Sequence, residues 1–219
     1  MNISIFNQTL ALLPDKAVLL PDGTLIVADL HLGKATAFQA KGLAIPEGDS
    51  DADLQRLGTI CEQAGATRIL INGDLFHSPA GLTPAIERLL ETWLFTIPVP
   101  VQLIIGNHDA KLRRLPAALN PVPFTEAAGF HIVHDPADAP PDKPALCALC
   151  AHWHPVARIA DGKRTSLRLP CFLLRGSILV APSFGSFTGG AIIDHQKGDR
   201  VFVAPGDRVI EVPAELLRR

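Results

Sequence analysis

Four short apolar runs in this sequence end in side chains that can bind metal ions. The first reaches Asp29 and His31, and the others occupy residues 69–74, 101–109 and 151–154. On an extended chain residues i and i+2 point to one side, so Asp29 and His31 are expected to hold one cation together. In open α/β sheets the ligand crevice lies at the carboxyl ends of the strands. Four such ends predict one shared pocket with too many ligands for a single metal ion.

The order of the other elements favours an α/β fold. Residues 3–28 alternate apolar runs with turn signals and predict a β-meander. One helix capped by Ser50 or Asp51 and a second opened by Thr83 alternate with strands, which predicts βαβ units and parallel pairing. Short β runs in the final third predict an antiparallel tail. We therefore expect two sheets packed face to face with helices outside, in a single domain spanning residues 1–219.

Composition gives no bulk sign of a nucleic-acid or membrane partner. With 20 basic and 22 acidic residues the net charge is −2, so any DNA contact has to be a local patch. No apolar run approaches the roughly 18 residues of a membrane span, and no signal peptide is visible, so a cytoplasmic location is expected. The four cysteines are expected to be reduced and buried, because a zinc knuckle needs a second pair besides Cys147 and Cys150.

Seven side chains make up the expected set of metal ligands. They are Asp29, His31, Asp74, Asn107, His134, His152 and His154. Mixed carboxylate, amide and imidazole ligands suit manganese, iron or zinc. Seven ligands with one carboxylate free to bridge describe two ions roughly 3.5–4 Å apart, an arrangement used in phosphoester hydrolysis. His134 and His152 should converge, so the Pro- and Asp-rich segment 135–144 between them is not a domain boundary.

Two catalytic candidates follow Asn107. His108 is not needed as a ligand, and an imidazole that titrates near neutral pH is suited to protonating a departing oxygen. The alternative is a histidine satisfied by a backbone carbonyl. Asp109 is expected to orient its neighbours as a hydrogen-bond acceptor.

These motifs, in this order, resemble the calcineurin-like binuclear metallophosphoesterases. The motifs are Asp29-x-His31, Gly73-Asp74, Gly106-Asn107-His108-Asp109, His134 and His152-x-His154. The resemblance implies an α/β sandwich of two mixed β-sheets flanked by helices in four layers. It also implies one ion on Asp29, His31, Asp74 and His154, a second ion on Asp74, Asn107, His134 and His152, and His108 as the acid. Ala151 and Asp135 stand where members usually have glycine, which removes no ligand.

A narrower resemblance is to ligase-associated DNA damage response endonucleases. It rests on residues 29–34, 38–48, 152–155 and 184–190. It implies two divalent ions, Mn²⁺ first with iron or zinc as alternatives, and cleavage of single-stranded DNA in DNA repair. It further implies functional association with a DNA ligase, a helicase and an exonuclease.

Several residues near the motifs are candidates for substrate contacts. Positive charges that could neutralise DNA phosphates, or only solvate the surface, are Lys34, Lys111, Arg113, Arg114 and Arg158. His77 is a candidate for substrate contact or for a capping role. Phe184 and Phe187 are expected either to stack on bases or to fill the core beneath the site.

Two other functions stay open at this point. The same metal site would serve a small substrate such as a nucleotide monoester, a cyclic nucleotide or a dinucleotide. A non-catalytic scaffold of this fold is disfavoured, because all seven ligands and His108 are present.

Overall fold

The first half of the chain forms a six-stranded sheet with three helices. The computed structural model describes residues 1–140, 147–160 and 165–218. The strands are β1 (Asn2–Ile5), β2 (Gln8–Leu13), β3 (Ala17–Leu19), β4 (Thr24–Val27), β5 (Arg68–Asn72) and β6 (Val101–Ile104), and the helices are α1 (Lys34–Gln39), α2 (Asp49–Gln63) and α3 (Pro84–Thr96). The sheet order is β1-β2-β3-β4-β5-β6, antiparallel up to β4 and parallel beyond it. The predicted meander and βαβ units are therefore confirmed.

The second half forms a mixed nine-stranded sheet. Its strands are β7 (Phe124–Ala127), β8 (Phe130–Val133), β9 (Cys147–Cys150), β10 (Pro155–Ala160), β11 (Ser166–Arg175), β12 (Ile178–Val180), β13 (Ala191–Ile192), β14 (Arg200–Val203) and β15 (Ile210–Val212). The prediction of an antiparallel tail is wrong in part, since β12 pairs with β9, and β13 with β10, in parallel. Short apolar runs carry no signal of strand direction. The Pro- and Asp-rich segment spans residues 135–144 of the sequence. Of these, residues 141–144 lie outside the described residues.

The core lies in layers that follow the alternation of the central strands. Ile26, Leu70 and Ile104 face the second sheet, whereas Leu25 and Val27 face the helices. Both faces of β4 to β6 are thus covered, which explains their continuous apolar sequences. The candidate ligands Asp29, Asp74 and Asn107 follow the carboxyl ends of these strands.

The α-helices cover the outer face of the first sheet. Leu57 of α2 and Leu90 and Trp93 of α3 join the same cluster as β4 to β6, which confirms that the stripe on α3 is core. Two mixed sheets with flanking helices are also confirmed. Outside the second sheet, however, the described residues form only short 3-10 turns, at Pro136–Asp138 and Ala214–Leu216, rather than a matching layer of α-helices.

The helix starts agree only in part with the sequence. Thr83 caps α3 as predicted, because its side chain accepts from the N–H of Ile86. Ser50 and Asp51 do not cap α2, which begins at Asp49 without a side-chain cap. The Ser50 hydroxyl instead accepts from the N–H of Gly33 at 3.0 Å, so it ties α2 to the first ligand loop. The sequence predicts no helix over α1, since six residues are too few to show a period.

The four cysteines are free thiols buried in the described structure. Burial raises the pKa of Cys150 to about 12 and that of Cys171 to about 12. A buried thiol with so high a pKa is seldom ionised, which agrees with these cysteines packing as small apolar side chains.

Candidate metal centre

The loops after β4 and β5 run side by side and bring three candidate ligands together. The N–H of Asp29 donates to the Gly73 carbonyl at 3.1 Å, and the N–H of His31 donates to the Asp74 carbonyl at 2.9 Å. These bonds continue the parallel pairing of β4 and β5 past the strand ends. Asp29, His31 and Asp74 therefore meet at the carboxyl edge of the first sheet.

The backbone at the candidate ligands is left-handed, which corrects the argument from an extended chain. In the described parts of the chain nine residues other than glycine have positive φ. Five of them are candidate ligands, namely Asp29, His31, Asp74, His152 and His154, with φ between 45° and 68°. Strand alternation therefore does not align Asp29 with His31. Each such residue stores roughly 1–3 kcal/mol of strain and keeps its conformation only where its surroundings impose it.

The ligand atoms form two groups that share one carboxylate. The groups are Asp29, His31, Asp74 and His154, and Asp74, His134 and His152, and within each group the atoms lie within 4.8 Å of one another. Nε2 of His134 lies 3.6 Å from Oδ2 of Asp74, and Nε2 of His154 lies 3.2 Å from Oδ1 of Asp29. Asp74 occupies the position of a bridging ligand.

The Asp29 carboxylate shows that these residues fit a metal ion. The side chain is fully buried, and no described group hydrogen-bonds to either oxygen. Nε2 of His134 is also buried without a hydrogen bond, 3.9 Å from Oδ1 of Asp29. Nε2 of His154 lies 3.2 Å from Oδ1, but burying a carboxylate that accepts no hydrogen bond costs free energy. A divalent cation beside Asp29 and His134 would satisfy both atoms.

At two positions, the electrostatics of the cluster favour the protonation state in which the side chain binds a metal ion. Burial lowers the pKa of His31 to about 3, so this imidazole is neutral at pH 7. Burial alone would raise the pKa of Asp74, but the His134 and His108 contacts lower it to about 2. Burial alone would lower the pKa of His134, but the Asp74 and Asp29 carboxylates raise it to about 9. A cation would displace that proton from His134.

His108 points one ring nitrogen at the cluster and keeps access to solvent. Its Nδ1 hydrogen-bonds to the carbonyl of His77, and a carbonyl only accepts, so Nδ1 carries a proton. Its Nε2 lies 3.9 Å from Oδ2 of Asp74, and the side chain is 29% exposed. In the imidazolium form the second proton sits on Nε2, facing the cluster. The carbonyl contact, which the structural alternative predicted, orients the ring and leaves Nε2 directed at the cluster.

Asp109 holds the loops together and does not touch the other candidate ligands. Its fully buried carboxylate accepts from the N–H groups of Leu75, Phe76 and Gly106 at 3.1–3.3 Å. Burial raises its pKa to about 6 against the opposing effect of these bonds. Asp109 thus joins the loop after β5 to the loop after β6, which agrees with the orienting role predicted for it.

Two glycines of the motifs allow close approach to the ligands. A Cβ on Gly73 would lie 2.0 Å from Nδ1 of His134. A Cβ on Gly106 would lie 2.3 Å from both the backbone N and Oδ1 of Asp74. Neither position has room for a side chain, so the glycines set the spacing between the three loops.

Asn72 is a structural residue of the site that the sequence argument missed. Its Nδ2 donates to the carbonyls of Val133 and Leu149 at 3.2 Å each, which joins the two sheets beneath the cluster. Its own carbonyl accepts from Nδ1 of His134 at 2.9 Å and so directs Nε2 toward the carboxylates. The signal in the sequence is a buried asparagine that ends an otherwise apolar strand.

Asn107 and His152 lie at the more open side of the cluster. Asn107 is exposed on the loop between Gly106 and His108, and the His108 N–H donates to Oδ1 of Asp74 at 2.8 Å. Nε2 of His152 lies 3.7 Å from Oδ2 of Asp135, the residue that departs from the usual glycine. His152 therefore has a carboxylate of its own beside the metal-facing nitrogen.

Three of the predicted substrate residues adjoin the cluster. The His77 ring stacks on His108 with centroids 5.5 Å apart and meets His31 at 5.5 Å. Lys34 is the first residue of α1, and its Nζ lies 5.6 Å from the ring centroid of Phe187. Phe187 is 37% exposed, so part of this side chain is accessible to a ligand.

Two of the predicted substrate residues face elsewhere. Phe184 is fully buried, and the Arg56 guanidinium lies 3.7 Å from its ring centroid, so it fills the core and offers no face to a base. Arg114 lines a cavity of about 390 Å³ together with Glu87 and Glu91 of α3, whose carboxylates repel phosphate. Phe184 therefore takes the core-filling role that the sequence left open, and contact between the exposed Arg114 and DNA stays a prediction.

The last three basic candidates lie outside the cluster. Lys111 and Arg113 are exposed after the Asp109 turn. Arg158 lies on β10, and its Nε donates to the Ser166 hydroxyl at 3.2 Å. Their contact with substrate stays a prediction.

Comparison with known proteins connects this geometry to a family. The family model described as Calcineurin-like phosphoesterase matches residues 24–171. The solved structure of the Pseudomonas putida nuclease MPE is 30% identical, with a TM-score of 0.74 over 97% of this chain and 99% of that chain. Yfce, a phosphoesterase from E. coli, is 15% identical with a TM-score of 0.42 over 86% and 97% of the two chains, too distant to argue from. No curated protein matches. In the described residues no helix is long and apolar enough to cross a membrane.

Proposed function

The chain belongs to the calcineurin-like phosphoesterase family, and on that premise we propose that it is a manganese-dependent endonuclease for single-stranded DNA. The observation that carries the proposal is the 30% identity to a nuclease over nearly the whole of both chains. The proposed setting is DNA repair in the cytoplasm, in functional association with a DNA ligase, a helicase and an exonuclease. We propose that residues 1–219 act as one domain.

The proposed metal ligands follow the two groups of the cluster. One ion would bind Asp29, His31, Asp74 and His154, and the other would bind Asp74, Asn107, His134 and His152. Two such ions supply Lewis acidity for the phosphate and activate a water molecule for attack. Manganese suits the mixture of carboxylate, amide and imidazole ligands, with iron and zinc as alternatives to be compared.

The protein's own groups complete the hydrolysis. As the bond between phosphorus and the leaving oxygen breaks, His108 donates the Nε2 proton to that oxygen, so the leaving strand departs as an alcohol. The His77 carbonyl holds the imidazole in this orientation through Nδ1. Asp109 keeps the His108 loop against the Asp74 loop and does not itself move a proton.

A small phosphodiester is the second candidate substrate. The net charge of −2 provides no general attraction for DNA, which favours a compact substrate held by local contacts alone. The metal ligands and His108 would act identically on either substrate, so only a substrate test separates the two functions.

The decisive test uses a covalently closed circle of single-stranded DNA. We expect the purified protein with Mn²⁺ to nick the circle and an Asp74→Ala variant to leave it intact. An intact circle together with hydrolysis of small phosphodiesters would reject the DNA substrate and keep the phosphoesterase. Metal binding without hydrolysis of any phosphoester would reject the enzyme and favour a scaffold.

A further inference from the structure

A row of aromatic rings leads away from the candidate acid along one side of the metal centre. His77 stacks on His108 at 5.5 Å, Phe38 meets His77 edge to face at 5.7 Å, and Phe187 meets Phe38 edge to face at 6.0 Å between centroids. We call Phe38, His77 and Phe187 the aromatic wall. Lys34 adds a positive charge at its end, with Nζ 5.6 Å from the Phe187 ring centroid.

The aromatic wall differs from the protein's core phenylalanines in being reachable from solvent. Phe187 is 37% exposed and Phe38 is half-buried, whereas Phe76, Phe172 and Phe184 are at most 1% exposed. The ring contacts of Phe38 and Phe187 are with each other and with His77, beside a cluster that fits phosphate chemistry. A flat ligand could lie against them without disturbing the core.

Both sides of the aromatic wall are fixed to the ligand loops. Phe38 lies on α1, which begins three residues after His31. The segment before Phe187 is tied to the first ligand loop, because Gly185 N–H donates to the Asp29 carbonyl at 3.2 Å. The wall therefore keeps a set position relative to Asp29 and His108.

We propose that the aromatic wall and Lys34 bind the nucleotide on the leaving-group side of the scissile bond. The base stacks on Phe187, the Phe38 ring, which stands edge to face with Phe187, borders the stacked base, and Lys34 contacts a phosphate of the same strand. The side follows from the position of the wall, which starts at the ring that protonates the leaving oxygen. This subsite rests on the proposed nuclease function and adds to it a physical reason for selecting single strands.

The reason is the availability of base faces. Every base has a π-face, so stacking on an aromatic ring tolerates any sequence and contributes roughly 1–3 kcal/mol per base, about 5- to 150-fold in affinity. In a duplex these faces are covered by neighbouring bases. An aromatic wall therefore binds an unpaired nucleotide and has no surface to offer a duplex.

The test compares an oligonucleotide with a matched oligonucleotide of abasic residues. We expect wild-type kcat/KM with Mn²⁺ to be at least about 10-fold higher on the strand with bases. The double variant Phe38→Leu/Phe187→Leu should lose that preference, and Phe95→Leu should keep it, because Phe95 is 92% exposed on α3. Lys34→Met should reduce the slope of log kcat/KM against log salt by about 0.7.

A second readout does not depend on catalysis. Fluorescence anisotropy of a labelled oligonucleotide in excess EDTA should show weaker binding by the double variant than by wild type and Phe95→Leu, with unchanged melting temperatures as the folding control. A double variant with the wild-type preference for bases and wild-type binding would overturn the subsite alone. A wild-type protein that cleaves no single strand but hydrolyses small diesters would overturn the nuclease function and the subsite with it.

Discussion

Gly73→Ala tests whether close packing between the ligand loops builds the second metal site. Gly73 has φ +79°, and an added Cβ would lie 2.0 Å from Nδ1 of His134. The imidazole would have to leave its bond to the Asn72 carbonyl at 2.9 Å. Gly65→Ala is the matched control, because Gly65 also has positive φ, +59°, but a Cβ there meets nothing within 4 Å.

The two variants should differ in stability because only Gly73→Ala brings a Cβ into contact with the His134 ring. A left-handed alanine costs roughly 1–2 kcal/mol, which is the whole expected loss for Gly65→Ala. Gly73→Ala adds about 1 kcal/mol for the lost hydrogen bond and roughly 1–3 kcal/mol for overpacking. We expect a loss of about 3–6 kcal/mol in the free energy of unfolding, and one bound manganese per chain in place of two.

Urea unfolding and metal analysis check this expectation, and a double-mutant cycle isolates its cause. In a His134→Ala background the ring that clashes is absent, so Gly73→Ala should cost no more than Gly65→Ala. The comparison in the His134→Ala background also tests the steric reasoning if Gly73→Ala alone does not fold. Equal losses for Gly73→Ala with and without the His134 ring would refute the steric reasoning.

The acid, the amide between the sheets and the metal ions give three further tests. His108→Ala should retain both ions and lose roughly 10²–10⁴-fold in kcat on DNA but far less on an activated aryl phosphodiester, since a good leaving group needs no proton; equal losses on both substrates contradict the acid role. Asn72→Ala should lower the free energy of unfolding by about 2–4 kcal/mol, because it removes two bonds between the sheets and leaves two buried carbonyls unpaired, whereas Gln102→Ala, which removes a long amide contact in an exposed setting, should change it by less than about 0.5 kcal/mol in urea unfolding. Mn²⁺ at 100 times its Kd should stabilise the wild type by about 2.7 kcal/mol per site and raise Tm by roughly 5–10 °C for each occupied site, while no rise is expected for Asp74→Ala in differential scanning calorimetry.

The sequence is a good guide to which side chains meet, because strand order carries that information. Apolar runs over β4, β5 and β6 predict parallel neighbours, and parallel neighbours present their carboxyl ends at one edge. The prediction that Asp29 and Asp74 meet follows directly from this strand arrangement. The resemblance of the ordered motifs adds the later histidines, which the structure brings within reach of the same carboxylates.

The details that the sequence could not give depend on conformation and burial. The alternation argument for Asp29 and His31 assumed extended backbone, while the structure aligns them through left-handed residues fixed by the neighbouring loop. Phe184 and Phe187 are alike in the sequence, yet only Phe187 is exposed, since the Phe184 N–H bonds to the Ala28 carbonyl and draws that ring into the core.

Backbone strain at the candidate ligands explains why the motifs also contain residues that are not ligands. Five left-handed candidate ligands at roughly 1 kcal/mol or more each approach the whole stability of a typical domain, about 5–15 kcal/mol, and the buried Asp29 carboxylate, which accepts no hydrogen bond, adds to that cost. The residues that keep the loops from relaxing are not candidate metal ligands. They form hydrogen bonds to other parts of the protein. Asp109 holds three N–H groups, and Asn72 joins the two sheets. Their buried bonds exist only while the loops keep this shape, so the cation-binding geometry is set by the fold before any cation arrives.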